Sequence, residues 1–216
     1  SDAVIFNSCA VTKEAERQLK QSIRRTRRDR PNAKLIVTGC AAQINPERYA
    51  AMEEVDGVIG NEEKLKAASY QALADGAEPI QVNDIFSVTD TALHMLPALG
   101  GHSRAFVQVQ NGCNHRCTFC IIPYGRGNSR SAPLAQITQQ CEQLTDNGYR
   151  EIVFTGVDIS DYGKDFDSPM SLGEMMRELL ASNPAIERLR LSSIDAVEVD
   201  DTLYDLLADE PRLMPH

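Results

Sequence analysis

Three cysteines lie close together in the segment NGCNHRCTFCIIPYGR, residues 111–126. Cys113, Cys117 and Cys120 have the spacing C-x3-C-x2-C. A structural zinc site pairs two such cysteines with a second pair further along the chain, and the only downstream candidate, Cys141, falls in the middle of a predicted helix. A disulfide would leave one of the three thiols unpaired. The other option is a [4Fe–4S] cluster held by three thiolates, whose fourth iron stays open to the amine and carboxylate of a small molecule.

The elements around this loop form a repeating series. Apolar runs and amphipathic stretches over residues 104–216 predict three β-α units in a row, with strands at 104–110, 151–157 and 188–194 and helices at 133–147, 172–181 and 201–208. The cysteine loop follows the first of these strands, which is the catalytic end of such folds. The chain stops at PRLMPH, where a further strand should begin. We therefore expect the first half of a partial (β/α) barrel, in a fragment cut at both ends.

The first 75 residues alternate in the same way and predict an α/β domain. Strands are predicted at 3–7, 34–39 and 57–60, and helices from Thr12 to about Arg28, from Pro46 to about Met52 and over 62–75. Strands separated by helices favour a parallel sheet with covering helices. Residues 76–103 are rich in Gly, Pro and Asp, so we place a linker there, between a domain at 1–75 and a domain at 104–216.

Charge is unevenly distributed along the 216 residues. The net charge is −9, yet residues 13–30 hold eight Lys/Arg against three acids, so this segment is +5 and the rest of the chain is −14. The basic segment could meet phosphate, or it could be an ordinary solvated helix face. The candidate phosphate contacts are Arg24, Arg25, Arg27 and Arg28. No apolar run is long enough to cross a membrane, and we see no signal peptide, which favours the reducing cytoplasm.

The cysteine spacing, placed after the first strand of a β-α series, resembles the signature of the radical S-adenosylmethionine (SAM) superfamily. The resemblance implies that SAM binds the open iron and is cleaved reductively to a 5′-deoxyadenosyl radical. It also implies that Phe119 lies near the adenine, that Ser192 and Ser193 could reach the ribose, and that the strand end at Thr155, Gly156 and Val157 contacts the SAM amino group. As an alternative, both serines could simply cap the following segment.

Three further segments, NSCAVTKEAERQ, VTGCAAQINPE and GVIGNEEK, resemble the N-terminal domain of the methylthiotransferases. The resemblance implies a second [4Fe–4S] cluster, held by three cysteines on three early loops. Cys9 and Cys40 occupy the second and third positions, and the first would lie upstream of Ser1. Both cysteines follow predicted strands whose ends should be neighbours in a parallel sheet. From the residues alone, a pair of buried free cysteines is the competing interpretation.

Within that family, IIPYGRGNSRS and TGVDI look like the enzymes that modify threonylcarbamoyladenosine in tRNA. The alternatives are the enzymes for isopentenyladenosine in tRNA and for an aspartate of a ribosomal protein. The implied reaction adds a methylthio group to C2 of the adenine at position 37. Implied partners are tRNA and an electron donor such as a flavodoxin or ferredoxin, with no membrane and with a monomeric enzyme. Arg126 and Arg130 could pair with a carboxylate of SAM or of the substrate, or remain solvated.

Two interpretations from other classes compete with this one. A non-catalytic iron–sulfur module for electron transfer or sensing would need four thiolates per cluster and no β-α series. A zinc-dependent RNA-binding protein would lack the brown colour of an iron–sulfur cluster. Cleavage of SAM by the reduced protein separates the enzyme from both of these.

Overall fold

The computed structural model describes residues 3–89 and 103–214, which fall into two compact units. One unit comprises Ser1–Val88 together with Asn114–Asn128, and the other comprises Thr89–Cys113 together with Ser129–His216. The segment that follows Cys113 thus belongs with the N-terminal unit. Residues 90–102 of the linker predicted at 76–103 lie outside the described residues, so that boundary stays a prediction.

The N-terminal unit is built on a parallel sheet, as the alternation of strands and helices predicts. Its strands, paired in sequence order, are β1 (Ala3–Ser8), β2 (Lys34–Gly39), β3 (Gly57–Ile59) and β4 (Ile80–Gln81). Its helices are α1 (Lys13–Asp29), α2 (Cys40–Ile44), α3 (Pro46–Ala50), α4 (Ala67–Ala74) and α5 (Ile122–Arg126). Ile23 of α1 packs with Leu35, Val37 and Val58 of the sheet in a buried core.

Local chemistry explains where α1 begins. Thr12 is extended (φ −129°, ψ 141°), and its side chain accepts a hydrogen bond from the Ala15 N–H at 3.1 Å. Glu14 and Glu16 occupy the first turn, where negative side chains stabilise the helix by interacting with the positive end of its dipole. The predicted start of this helix is therefore confirmed.

Two helices of this unit differ from the prediction. The stretch 62–75 begins with a 3-10 turn, Glu63–Leu65, and Lys66 is extended (φ −103°, ψ 117°), so α4 starts only at Ala67. The five-residue helix α2 directly after β2 was not predicted. A single turn and a half contains too few residues for a periodic pattern to show.

The second unit contains a parallel three-stranded sheet with helices, in agreement with the predicted β-α series. The strands β5 (Arg104–Gln108), β8 (Glu151–Thr155) and β9 (Arg188–Leu191) pair in that order. Two short strands, β6 (Gln110–Asn111) and β7 (Arg130–Ser131), form an antiparallel pair that was not predicted. The helices are α6 (Leu134–Asp146), α7 (Leu172–Ser182) and α8 (Asp201–Asp209).

An isolated β-bridge forms at the position where the sequence pattern predicts a further strand. Leu213 forms a parallel bridge with Leu189 of β9, and the Met214 N–H donates to the Leu189 carbonyl at 2.9 Å. The core of this unit packs the inner faces of the strands against α6 and α7, with Phe154, Ile137 and Met176 among its buried side chains. In the described ranges, no helix combines the length and apolar character that crossing a membrane needs.

Candidate metal centres and cofactor site

Cys9 and Cys40 follow neighbouring strands that end in register. β1 and β2 are parallel, and Ser8 and Gly39, the last residues of the two strands, are paired in the ladder. The two cysteines therefore come next at the same edge of the sheet, as expected. Cys9 is exposed and Cys40 is partly buried, and both are free thiols.

The turn that presents Cys40 depends on two small residues. Gly39 has φ +94°, and a Cβ there would lie 2.3 Å from the carbonyl oxygen of Ser8, so only glycine fits. The buried Ser8 hydroxyl accepts a hydrogen bond from the Ala42 N–H at 3.0 Å. Ser8 thereby satisfies one of the N–H groups that the first turn of α2 leaves free.

A buried polar network surrounds Cys40. Asn61, which is 8% exposed, places its side-chain nitrogen 3.7 Å from the Cys40 Sγ and 2.6 Å from the carbonyl oxygen of Gly125. Lys64 donates to the side-chain oxygen of Asn61 at 2.8 Å. Burial, and secondarily the nearby Arg126 charge, lowers the pKa of Lys64. We did not predict the role of Asn61, because its contacts with Cys40 and Gly125 join residues 21 and 64 positions apart, and the role of Lys64 depends on Asn61.

Cys117 and Cys120 lie on one turn, in which the Cys120 N–H donates to the Cys117 carbonyl at 3.0 Å. Cys117 is exposed and Cys120 is partly buried. Between them, Phe119 is 90% exposed. Solvent contact is unfavourable for an aromatic ring of this size, so Phe119 is available to stack on a planar group such as adenine. Its predicted role in binding SAM stays a prediction.

Aromatic and cationic side chains flank this turn. The rings of Phe86 and Tyr124 meet edge to face, with centroids 6.1 Å apart, and the Arg116 guanidinium lies 5.5 Å from the centre of the Phe86 ring. Arg116 also donates to the Asn128 side chain at 3.0 Å. The chain after the cysteines is thus fixed by specific contacts inside the N-terminal unit.

In the second unit, a buried glutamine joins the approach to Cys113 with the loop after β8. The side-chain oxygen of Gln110 accepts hydrogen bonds from the N–H groups of Val157 and Asp158, at 2.9 and 2.8 Å. Its side-chain nitrogen donates to the Gly112 carbonyl at 2.7 Å and to the Ser129 hydroxyl at 3.0 Å. Gln110 therefore orients both segments, although nothing in its sequence context indicates this.

The residues predicted to contact SAM lie at the carboxyl ends of two neighbouring strands. Thr155 ends β8, and the Ser192 N–H, just after β9, donates to the Phe154 carbonyl at 2.9 Å. A Cβ at Gly156 would lie 2.3 Å from Ile159 and 2.8 Å from Gln110. Glycine is therefore required there by the protein's own packing. Ser193 and Gly156 are exposed, and Val157 is partly buried, so all three positions can be reached by a ligand.

Asp158 is a further site residue that we did not predict. Its carboxylate oxygen lies 3.4 Å from the Cys113 Sγ. A carboxylate beside a cluster ligand could accept a hydrogen bond from the amino group of a bound amino acid. Its position two residues after Gly156, at the end of a predicted strand, is the feature of the sequence that could have indicated this role.

The two loop arginines differ in environment. Arg130, in β7, is only 5% exposed and is therefore part of the folded interior. Arg126 is partly buried at the end of α5. The interpretation of Arg130 as a solvated loop residue is wrong, since Arg130 is buried and belongs to the short strand β7.

The basic segment of α1 has three outward arginines and one that is held internally. The side chains of Arg24 and Arg25 are 58% and 78% exposed, with loose ion pairs to Glu54 and Asp29 at 3.5 and 3.6 Å. Arg28 is exposed as well. By contrast, Arg27 is 23% exposed and donates to Asp56 and to the carbonyls of Glu54, Pro31 and Ala33. The Arg27 guanidinium thus stabilises the fold, and we no longer expect it to contact phosphate.

The donor set fits iron–sulfur chemistry. All six cysteines are reduced thiols, and five of them, Cys9, Cys40, Cys113, Cys117 and Cys120, are at least partly exposed. Such clusters take thiolate ligands from this kind of loop position. Cys141 is fully buried in α6, where burial raises its pKa to about 12, so it remains a protonated thiol at neutral pH. Its predicted place in the middle of a helix is confirmed.

Two family models match the chain. The model described as uncharacterized protein family UPF0004 matches residues 1–60, and that of the radical SAM superfamily matches residues 107–212. Among solved structures, the chain resembles the radical SAM methyltransferase TsrM from Kitasatospora setae, with a TM-score of 0.66 and 16% identity over 95% of this chain and 47% of that one. At this identity, the likeness shows the fold alone.

Curated relatives match the entire chain. It is 51% identical to the threonylcarbamoyladenosine tRNA methylthiotransferase MtaB of Rickettsia prowazekii and 36% identical to that of Aquifex aeolicus, covering 50% and 52% of those proteins. It is 29% identical to the tRNA-2-methylthio-N(6)-dimethylallyladenosine synthase of Anaeromyxobacter dehalogenans, covering 46% of it. The chain thus spans about half the length of the curated relatives it matches. Over its entire length, the chain is therefore similar in sequence to radical SAM methylthiotransferases.

Proposed function

We propose that the full-length protein is a radical SAM enzyme that adds a methylthio group to C2 of N6-threonylcarbamoyladenosine at position 37 of tRNA. The observation that carries this proposal is the in-register ending of β1 and β2, which brings Cys9 and Cys40 to one edge of the sheet. The second cysteine group, Cys113, Cys117 and Cys120, has the spacing of a SAM-binding cluster. Two sulfur-rich centres in one chain suit a reaction that needs both a radical and a sulfur donor.

Cys113, Cys117 and Cys120 would hold a cluster that would supply the electron for cleavage of SAM, and Cys9 and Cys40 would help to hold a second cluster that would supply sulfur for the transfer. The protein's own residues bind and orient these partners. Phe119 offers an exposed ring for the adenine of SAM. Gly156 and Val157 offer backbone groups at a strand end, held there by Gln110.

The substrate adenosine must be presented from a single-stranded loop, because C2 of a stacked base is not accessible. The exposed Arg24, Arg25 and Arg28 would contact phosphates of the tRNA and so position it without reading its sequence. An electron donor such as a flavodoxin or ferredoxin would reduce the cluster. We place the enzyme in the cytoplasm, as a monomer.

The choice of substrate rests on the relatives. The two named for threonylcarbamoyladenosine are 51% and 36% identical, whereas the one named for dimethylallyladenosine is 29% identical. Nucleoside mass spectrometry of tRNA from cells with and without the full gene tests it. We expect the 2-methylthio derivative of threonylcarbamoyladenosine to disappear while the unmodified threonylcarbamoyladenosine remains. Loss of the methylthio derivative of isopentenyladenosine, or of a ribosomal-protein modification, would contradict this assignment.

A non-catalytic iron–sulfur module for electron transfer or sensing is the alternative from a different class. It predicts that the reduced protein leaves SAM intact. Formation of 5′-deoxyadenosine by the dithionite-reduced, reconstituted protein would exclude this alternative.

A further inference from the structure

The Asn61 side chain contacts both Cys40 and Gly125 of α5, the helix that follows the second cysteine group. It is buried, and its backbone N–H donates to the side-chain oxygen of Gln43 at 2.8 Å. Gln43 in turn donates to the carbonyl of Asn83 at 2.8 Å. The main chain at Asn61 is therefore fixed independently of its own side chain.

The orientation of the Asn61 amide is determined by its neighbours. Lys64, which only donates hydrogen bonds, lies 2.8 Å from the side-chain oxygen of Asn61. Lys64 is held in place by a second acceptor, the side-chain oxygen of Asn7 at 3.3 Å. The side-chain nitrogen must then face the other way, with one hydrogen for the Gly125 carbonyl and one for the Cys40 sulfur. Both acceptors lie at hydrogen-bond distances, 2.6 and 3.7 Å.

We propose that Asn61 is a positioning residue for the N-terminal cluster. Its N–H···S hydrogen bond to Cys40 raises the reduction potential of that cluster, and its hydrogen bond to the Gly125 carbonyl holds α5 in contact with Cys40. This inference rests on the proposed function, since it requires that Cys40 ligates a cluster. It assigns a role to a residue that is not itself a ligand.

The physical reason lies in the charge on the sulfur. Reduction adds negative charge to the cluster and its thiolates, and a hydrogen-bond donor stabilises the more negative state. Removing the donor should therefore make the potential more negative. Removing it also leaves the buried Gly125 carbonyl without this donor, which costs stability.

The test uses the full-length protein in which Cys113, Cys117 and Cys120 are changed to Ala, so that only the N-terminal cluster remains. In this background the decisive variant is Asn61→Leu, which removes the donor without adding charge, and it is compared with Asn61→Asp, which keeps the shape, loses the donor and adds a negative charge beside Cys40. Asn32→Leu is the matched control, because Asn32 is an exposed residue of the turn before β2, at the opposite end of the strand from Cys40. The measurement is a redox titration followed by electron paramagnetic resonance, with iron content and the unfolding midpoint recorded for each variant.

We expect both Asn61 variants to shift the midpoint potential to more negative values, while Asn32→Leu leaves it unchanged. Loss of iron in both Asn61 variants, with no more than the small drop in unfolding midpoint that follows from losing the hydrogen bond to Gly125, would also support the positioning role. An unchanged potential in Asn61→Asp and Asn61→Leu at full iron content would overturn it. The underlying assignment is tested separately by adding Cys40→Ala: iron that persists in that variant would show that Cys40 is not a ligand, and the proposed function would fail for its own reason.

Discussion

Gly125 lies directly against Cys40: a Cβ built on Gly125 would come within 2.8 Å of the Cys40 Cβ and 3.3 Å of its Sγ. The loop that carries the second cysteine group therefore touches a proposed ligand of the first cluster. Both contacts lie within the N-terminal unit, which includes Asn114–Asn128. Glycine is needed here because no side chain fits between the two segments.

Gly125→Ala should accordingly destabilise the N-terminal unit by about 1–3 kcal/mol, the usual cost of overpacking. Cys40→Gly removes the Cβ and Sγ that the new methyl group would meet and leaves only the Cα, at 3.3 Å. We expect Gly125→Ala to cost less in the Cys40→Gly background than in the wild type, as measured by urea unfolding of the cluster-free protein. Equal costs in the two backgrounds would show that the contact does not govern the effect.

The two cysteine groups should have separable roles. Cys9→Ala and Cys40→Ala should retain the formation of 5′-deoxyadenosine from SAM and abolish methylthio transfer, because the proposed function assigns SAM cleavage to the other cluster. Chromatographic assay of 5′-deoxyadenosine alongside nucleoside mass spectrometry of the tRNA checks both. If SAM cleavage disappeared in proportion to transfer, the division of roles would be wrong.

The arginines of α1 should also separate into two classes. Changing Arg24, Arg25 and Arg28 together to Gln should weaken tRNA binding and lower the slope of log K against log salt by about one for each phosphate that the variant no longer binds. The unfolding midpoint should stay the same, since these side chains are exposed. Binding titrations of the full-length enzyme at several salt concentrations provide the measurement.

Arg27→Gln is the matched comparison for that experiment. Its guanidinium satisfies the carbonyls of Pro31, Ala33 and Glu54, so the variant should lose about 1–3 kcal/mol of stability. Its salt slope should remain that of the wild type. If the salt dependence of tRNA binding were the same in the triple variant as in the wild type, the basic side of α1 would be an ordinary solvated helix face.

Cys141 should be chemically inert in the folded protein. Its pKa is raised to about 12 by burial, so below that pH the sulfur is a protonated thiol, and alkylation requires a thiolate. In the cluster-free protein at pH 8, iodoacetamide should label the exposed Cys9 and Cys117 readily and Cys141 only after unfolding. Peptide mass spectrometry over time measures this. Rapid labelling of Cys141 in the native protein would show that α6 opens locally.

Much of this arrangement could be predicted from local patterns. Apolar runs predicted the positions of β2 and β8. Because the carboxyl ends of parallel strands share one edge of a sheet, the predicted strands also placed Cys9 and Cys40 at the same edge. The contacts of Asn61 could not be predicted. Asn61 and Gly125 are 64 positions apart, and neither periodicity nor composition indicates which distant segment a polar side chain will meet. The same holds for Gln110, whose partners Val157 and Asp158 are 47 and 48 positions away.

The division of the chain into two compact units could not be predicted from local sequence patterns either. Strand and helix alternation assigned everything after residue 104 to one domain, yet Asn114–Asn128 groups with the N-terminal unit. Its contacts are specific ones, such as Phe86 with Tyr124 and Asn61 with Gly125, which depend on the folded geometry. A sequence pattern gives the order of helices and strands along the chain, but it contains little information on which distant segments come into contact.

Iron content tests the two-cluster account most directly. Anaerobic reconstitution of the full-length protein should give about eight irons per chain, and changing Cys113, Cys117 and Cys120 to Ala should leave about four. Cys141→Ala, the control for loss of a cysteine that is not a ligand, should keep about eight. An iron content that does not change when the three loop cysteines are replaced would contradict the account.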